Sequence, residues 1–191
     1  MHAYDPASAQ VRGVVLVGIR EYIQSKLELG EVDLFLKPLS FEVSYALINA
    51  DKGEWYPYSI QTELHEAIAD RFSRNDPGRA IYDLGLHLAE YEIKNVLRAM
   101  FGILPLKLIV NRIQSMWSKF YRPGNATAKL VLEKKAVLEV RDFPTDLGFC
   151  ALVEAWMEVA TRYLKFKNLS YKQTVAIHKG TSLCRWELEW E

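Results

Sequence analysis

The histidines are the first residues in this chain that could do chemistry. They are His2, His65, His87 and His178, and no two of them have the close spacing of a helical metal pair or a zinc finger. The spacing therefore predicts no metal site. His65 lies at the edge of an apolar helix face. It could therefore be a buried residue at the border of that face or a residue that contacts a ligand in a pocket. His178, near the turn before the last strand, is expected to be exposed.

His87 lies on a long predicted helix, where a histidine could ligate haem iron. It shares a narrow stripe of that helix with Asp83, Glu90 and Lys94. Charged residues three and four positions apart on one helix face are typical of a solvated surface. We therefore expect His87 to face solvent or to form an ion pair.

Cysteine and carboxylate side chains are the next candidates. A catalytic cysteine needs a nearby base or helix N-terminus, and Cys150 lies near a helix start, but at an apolar position that predicts a buried, inert thiol. Glu154 and Glu158 are one helical turn apart on the polar side, which predicts a solvated face. The chain has no P-loop, GxGxxG, GxSxG or paired CxxC motif. We expect no catalytic residue and no enzyme activity.

Composition restricts the partners and the compartment. The chain has 191 residues, with 24 Lys plus Arg against 24 Asp plus Glu, so no overall charge attracts nucleic acid. Two cysteines are too few for a disulfide scaffold and indicate a reducing, cytoplasmic location. The apolar run at 14–17 is too short to span a membrane. We predict one domain over residues 1–191, with residues 1–10 flexible.

Helical periodicity dominates the first two thirds of the chain. Asp5 and Pro6 offer a cap and a first-turn proline, and apolar residues then recur from Val11 to Leu27, although the glycines at 13 and 18 weaken this helix. Pro57 predicts an extended or turning path. Further helices are predicted over 32–36, 41–48, 59–72, 75–101 and 106–121.

The last third changes to period two. Strands are predicted over 127–133 and 136–141, then a helix over 145–164, then strands over 169–178 and 183–190. In the last strand Cys184, Trp186, Leu188 and Trp190 point to one side and Arg185 to the other, as in a half-buried strand. Short links between the strands indicate an antiparallel four-stranded sheet. The fold class is α+β, with a helical N-terminal two thirds packed beside this sheet.

The C-terminal pattern resembles a known superfamily. The helix beginning Phe149-Cys150-Ala151-Leu152 and the motif Ala176-x3-Gly180-x3-Cys184-x-Trp186-x-Leu188-x-Trp190 are similar to the 4-vinyl-reductase domain. That domain shares a superfamily with the haem NO-binding sensors and the TRAPP vesicle-transport subunits. The segments 11–16, 55–58 and 86–94 also fit the bacterial branch, so the resemblance spans most of the chain.

Two departures limit what the resemblance implies. The chain has Ala176 where the family's turn usually begins with a cysteine, which argues against a two-cysteine metal or redox function there. It also lacks the Tyr-x-Ser-x-Arg signature that holds the haem propionates, and it lacks a convincing proximal histidine. We therefore expect no cofactor, and we do not infer haem binding for this chain from the resemblance.

The resemblance implies a module that holds a small apolar molecule or lipid between helices and sheet. The chain is rich in aromatic residues, and Trp117, Cys150, Trp156 and Trp186 are predicted to line such a pocket. The alternative is an interaction subunit that forms a homodimer or binds another protein. Exposed apolar patches on the N-terminal helix or around 55–58 would favour that alternative.

Overall fold

The computed structural model describes residues 6–144, 147–175 and 183–191, and it confirms the α+β class. The helices are α1 Gly13–Lys26, α2 Leu29–Leu36, α3 Phe41–Asn49, α4 Tyr58–Phe72, α5 Pro77–Glu92, α6 Arg98–Ile103, α7 Leu106–Val110, α8 Ile113–Trp117 and α9 Leu147–Tyr163. The strands are β1 Gln10–Arg12, β2 Trp55–Pro57, β3 Tyr121–Arg122, β4 Asn125–Leu132, β5 Lys135–Arg141, β6 Ser170–Val175 and β7 Leu183–Glu189. A three-residue 3-10 turn, Pro6–Ser8, precedes β1.

The start of the first helix differs from its prediction. Val11 is not helical but lies in β1, the middle strand of a small antiparallel sheet ordered β2-β1-β3. The helix starts at Gly13, where the backbone N–H donates to the Glu54 carbonyl at 2.8 Å. A Cβ on Gly13 would lie 1.9 Å from the Asp51 carbonyl oxygen, so glycine is required at this close approach.

The long predicted helix over 75–101 is interrupted. Asp76 caps α5 by accepting from the Arg79 N–H at 3.0 Å, and Pro77 occupies the first turn, as predicted. After Glu92 the backbone forms a π-helical segment, Ile93–Leu97, before α6 begins. The prediction of one continuous helix is therefore wrong, because a single-turn π segment leaves no local sequence signal of the kind that proline or glycine provides.

The helix predicted over 106–121 is also divided. It forms α7 and α8, separated at Asn111 and Arg112, and the chain is extended again at Tyr121. Gln114 ties this region to the sheet, because its side chain accepts from the Ala126 N–H at 2.7 Å and donates to the Gly124 carbonyl at 3.3 Å. These bonds fix α8 over the start of β4.

The four-stranded sheet is antiparallel in the order β4-β5-β7-β6. Leu138 pairs with Trp186 and Val140 pairs with Cys184 across β5 and β7. Cys184, Trp186 and Leu188 are buried, as the alternation predicted. The turn around Gly180, with the positions of Ala176 and His178, lies outside the described residues.

Helix α9 lies between the sheet and α5. Its predicted apolar side is inward, since Cys150, Val153 and Met157 are buried, and its other side is buried as well. The close contact with α5 depends on Gly85, because a Cβ there would lie 2.7 Å from the Cβ of Ala155. The sheet, α9 and α5 thus form three packed layers, and the candidate site lies between the first two.

Candidate functional site

An apolar pocket of about 170 Å³ lies between α9 and the inner face of the four-stranded sheet. The short helices α6, α7 and α8 cover it on the remaining side. Small side chains from both layers leave the space open; they are Ala126, Ala128, Ala136 and Ala160. Larger side chains at these positions would fill the gap, as they do where a helix and a sheet pack at ordinary density.

Eight aromatic residues line the pocket together with a larger number of aliphatic residues. The aromatic residues are Phe101, Trp117, Phe120, Tyr121, Phe149, Trp156, Phe166 and Trp190. Trp117 and Tyr121 have ring centroids 4.9 Å apart, and Phe101 meets Trp156 edge to face at 5.9 Å. Such contacts hold the rings in fixed orientations, so the wall is preformed.

Glu92 is the acidic side chain in this wall. Only 4% of its surface is exposed, and it accepts a hydrogen bond from Trp156 Nε1 at 3.0 Å. Burial raises the pKa of Glu92 to about 8, and the Trp156 bond opposes that rise. Sequence reasoning did not select this residue. The available signal was its spacing of four, seven and eleven residues from Leu88, Gly85 and Ile81, which places it on the buried face of α5.

A buried polar cluster adjoins the pocket through Tyr121. Gln61 Nε2 donates to the Tyr121 hydroxyl at 3.3 Å, and it also lies 3.2 Å from His65 Nε2. Burial raises the pKa of Tyr121, and the nearby charge of Glu92 raises it further. His65 is therefore a buried residue behind the pocket wall, which answers the question that its helical position left open.

The four residues predicted to line a pocket fall into two pairs. Trp117 and Trp156 line the apolar pocket. Cys150 and Trp186 are buried in the adjoining part of the interface between α9 and the sheet, and Trp186 Nε1 donates to Glu154 at 3.1 Å. Whether a ligand contacts these four residues stays a prediction.

The two cysteines face each other as reduced thiols. Cys150 Sγ lies 4.0 Å from Cys184 Sγ and accepts from Gln173 Nε2 at 3.1 Å. The contact with Cys184 and burial both raise the pKa of Cys150. A thiol with a raised pKa carries little of the reactive thiolate.

We therefore expect neither thiol to react with a disulfide reagent such as DTNB while the protein is folded. In about 6 M guanidinium chloride both should react within minutes, because denaturation removes the burial. Counting released thionitrobenzoate by absorbance measures this difference. Rapid release of even one equivalent from the native protein would contradict the assignment of inert thiols.

Two other predicted surfaces are less exposed than expected. His87 packs edge to face on Tyr22, with ring centroids 5.6 Å apart, and burial lowers its pKa. His87 is therefore partly buried by Tyr22 of α1 and does not face solvent fully, whereas Lys94 on the same stripe is exposed. Glu154 and Glu158 are half-buried, since Glu154 accepts from Trp186 and Glu158 accepts from the Tyr82 hydroxyl.

Exposed apolar patches on the first helix or around 55–58 would have favoured an interaction subunit. The first helix is largely buried and Tyr58 is 4% exposed, so neither region presents a large apolar patch. The exposed large apolar residues near the N-terminus lie on α2 and α3; they are Leu29, Leu34, Phe41, Tyr45 and Ile48. Self-association stays a prediction, which light scattering on a concentrated sample tests.

Metal clusters and membrane-spanning helices are both absent from the described residues. No group of three or more His, Cys, Asp or Glu in that part of the chain could hold a metal ion. Within the same ranges, no helix combines the length and apolar character that crossing a bilayer demands.

Comparison with solved structures identifies the fold. An H-NOX protein from S. oneidensis, solved in its Fe(II)NO ligation state, aligns with a TM-score of 0.74 over 94% of this chain and 99% of that chain, at 11% identity. The chain has the H-NOX fold. The Fe(II) unliganded H-NOX protein from K. algicida aligns with a TM-score of 0.70 at 6% identity, over 94% and 96% of the two chains. A mutant of T. Tengcongensis H-NOX aligns with a TM-score of 0.70 at 11% identity, over 94% and 97%.

The sequence comparisons add no closer relative. No protein-family model and no curated protein matches this chain. The fold is therefore that of the haem NO-binding proteins named in the resemblance, whereas kinship with them, with 4-vinyl-reductase domains and with TRAPP subunits stays a prediction.

The pocket of this H-NOX fold does not fit haem. Its volume of about 170 Å³ is below the roughly 300–1,000 Å³ of pockets that hold larger ligands. Among the described lining residues there is no histidine for the iron and no lysine or arginine for the propionates. Met116 and Tyr121 do line it, but methionine ligates iron together with histidine, and the raised pKa of Tyr121 disfavours the phenolate.

Proposed function

We propose that this protein is a non-enzymatic domain that binds a small apolar molecule in the pocket between α9, α6–α8 and the four-stranded sheet. The observation that carries the proposal is the lining itself, which is almost wholly aromatic and aliphatic around a space of about 170 Å³. An apolar cavity of about 150 Å³ is large enough for benzene or xenon. The volume therefore favours a compact or short-chain ligand over a full-length lipid.

The affinity of such a pocket comes from burial of apolar surface. Each methylene transferred from water contributes roughly 0.8 kcal/mol, so a ligand of a few carbons gains useful affinity without an ionic contact. The fixed aromatic wall adds to this, because little side-chain entropy is lost when a preformed site is filled.

The direct test is organic extraction of the purified protein followed by mass spectrometry, together with thermal unfolding in the presence of toluene. The proposal expects either a small apolar compound in the extract or a rise in the midpoint of unfolding with toluene. A ligand at ten times its Kd stabilises the folded state by about 1.4 kcal/mol. An empty extract together with an unchanged midpoint would refute the proposal.

Filling the pocket should abolish binding. Ala160→Phe places a phenyl ring in the pocket, and we expect toluene affinity to fall at least about tenfold, a loss of about 1.4 kcal/mol. Ala151→Phe is the matched control, because residue 151 lies on the same helix outside the pocket lining. Equal loss of toluene stabilisation in both variants would place the binding elsewhere.

A second candidate function, haem-based gas sensing, is favoured by the fold match to H-NOX proteins. Absorption spectroscopy after haem addition separates the two candidates. A haem sensor must bind haem, so this candidate predicts a stable Soret band whose intensity corresponds to one haem per chain. The non-haem proposal predicts only the spectrum of unbound haem. Ala160→Phe serves as the control for binding in the pocket.

A further inference from the structure

The acidic group in the described pocket lining lies at an unusual point of the backbone. Glu92 is the last residue of α5, and the π-helical segment Ile93–Leu97 starts directly after it. Single-turn π segments within helices occur frequently at functional sites. Here the π-helical segment directly follows Glu92, whose carboxyl group lies in the lining of the apolar pocket.

The carboxyl group of Glu92 has no cation among the described residues around it. It accepts a hydrogen bond from Trp156 Nε1 at 3.0 Å, and the described lining of the pocket contains no lysine, arginine or histidine. A buried carboxylate without an opposite charge is unfavourable by several kcal/mol, and a ligand that supplies the charge offsets part of this penalty.

The surrounding rings are suited to the same ligand. Trp117, Tyr121 and Trp156 line the pocket with Glu92, and the faces of tryptophan and tyrosine rings attract cations. A carboxylate in a pocket lined by tryptophan and tyrosine rings is a combination that suits an ammonium group with apolar substituents.

We propose that the pocket selects small apolar amines, whose ammonium group pairs with Glu92 while the hydrocarbon part fills the aromatic pocket. This inference rests on the proposed function and adds the chemical class of the ligand. An anionic ligand of the same size is disfavoured by the ionised form of Glu92. A neutral ligand fills the same space but leaves the carboxyl group without an ionic partner.

Binding of an ammonium ion should release the proton that Glu92 carries near neutral pH. The polar side chains that interact with Glu92 are Trp156 from α9 and Tyr121 from β3, and Gln61 and His65 of α4 lie behind Tyr121. Because burial raises the pKa of Glu92 to about 8, amine affinity should rise as the pH increases from about 6 to 8. It should fall again as the amine itself loses its charge, near pH 9–10 for amines with pKa values close to that of lysine.

The test is calorimetric titration of the full chain at pH 8 with benzylamine, benzyl alcohol and benzoate, which share one ring and differ in charge. We expect benzylamine to bind at least about tenfold tighter than benzyl alcohol, and benzoate to bind more weakly than both. In Glu92→Gln the amine should lose about tenfold in affinity while the alcohol changes by less than about threefold.

Glu154→Gln is the matched control. Glu154 also accepts from a tryptophan Nε1, that of Trp186, yet it lies outside the pocket lining. Its substitution should leave the preference for the amine unchanged.

Each outcome decides between the two proposals. If benzyl alcohol binds but benzylamine is no tighter, or if Glu92→Gln keeps the preference, the amine inference fails and the apolar pocket stands. If none of the three probes binds, the amine inference fails, and the toluene measurement decides whether the apolar pocket stands. Should Glu92→Gln not fold, the pH dependence of the wild-type protein decides: amine affinity that does not rise between pH 6 and 8 overturns the inference.

Discussion

Replacing Trp186 with alanine should lower the free energy of unfolding by about 3–5 kcal/mol. Trp186 is 0% exposed in the middle of β7, opposite Leu138 of β5. Its removal opens a cavity between the sheet and α9, and it also leaves Glu154 without the Trp186 Nε1 hydrogen bond. Because the pocket is formed by the same two layers, the loss should extend to ligand binding.

Urea denaturation monitored by circular dichroism measures this effect. Leu132→Ala is the control, since Leu132 lies in β4 with 62% of its surface exposed and should change stability by less than about 0.5 kcal/mol. A loss below about 1 kcal/mol for Trp186→Ala would mean that the buried face of β7 is assigned incorrectly.

The second large effect is a decrease in stability with rising pH that depends on Glu92. Its pKa is raised to about 8 in the folded protein from the ordinary value of 4.5, so between these values the folded state binds more protons than the unfolded state. Stability from this group is therefore complete below about pH 4.5 and is lost as the pH rises through about 8. The slope approaches 1.4 kcal/mol per pH unit within that window.

Comparing the wild-type protein with Glu92→Gln isolates this contribution, because both share every other titrating group. We expect the two to have similar unfolding free energies near pH 5, and the variant to be more stable by several kcal/mol at pH 9. Urea denaturation at four or five pH values gives the difference curve. A curve that is flat between pH 5 and 9 would show that Glu92 is solvated in the folded protein.

The predictable part of this molecule is the part whose signal is local. In β7, Cys184, Trp186 and Leu188 alternate with charged residues, as the geometry of a strand requires. The burial of these three side chains could therefore be predicted from the adjacent residues in the sequence. The same holds for α9, where the apolar spacing of Cys150 and Val153 is helical.

The unpredicted part depends on contacts between distant segments. His87 shares a stripe with charged residues, yet Tyr22 from α1 packs on it, and nothing near residue 87 encodes that contact. The π-helical segment after Glu92 and the β2-β1-β3 sheet likewise depend on tertiary packing. Glu92 itself was within reach of sequence reasoning, since its spacing from Leu88 and Ile81 places an acidic residue on a buried helix face.

The described pocket lining lacks haem ligands, so the fold match does not by itself indicate that the pocket binds haem. The chain aligns with an H-NOX protein over 94% of its length, but that lining provides a glutamate and aromatic rings and contains no histidine, lysine or arginine. A shared fold does not determine the ligand, which depends on the side chains at the site.

The most direct measurement is a crystal structure determined under xenon pressure. Xenon binds in apolar cavities of this size, and its electron density marks them without depending on ligand chemistry. We predict xenon between α9 and the sheet, beside Trp117 and Trp156, in the wild-type protein and its absence there in Ala160→Phe. Side chains that fill this space in the wild-type crystal, with no xenon between the two layers, would contradict the account.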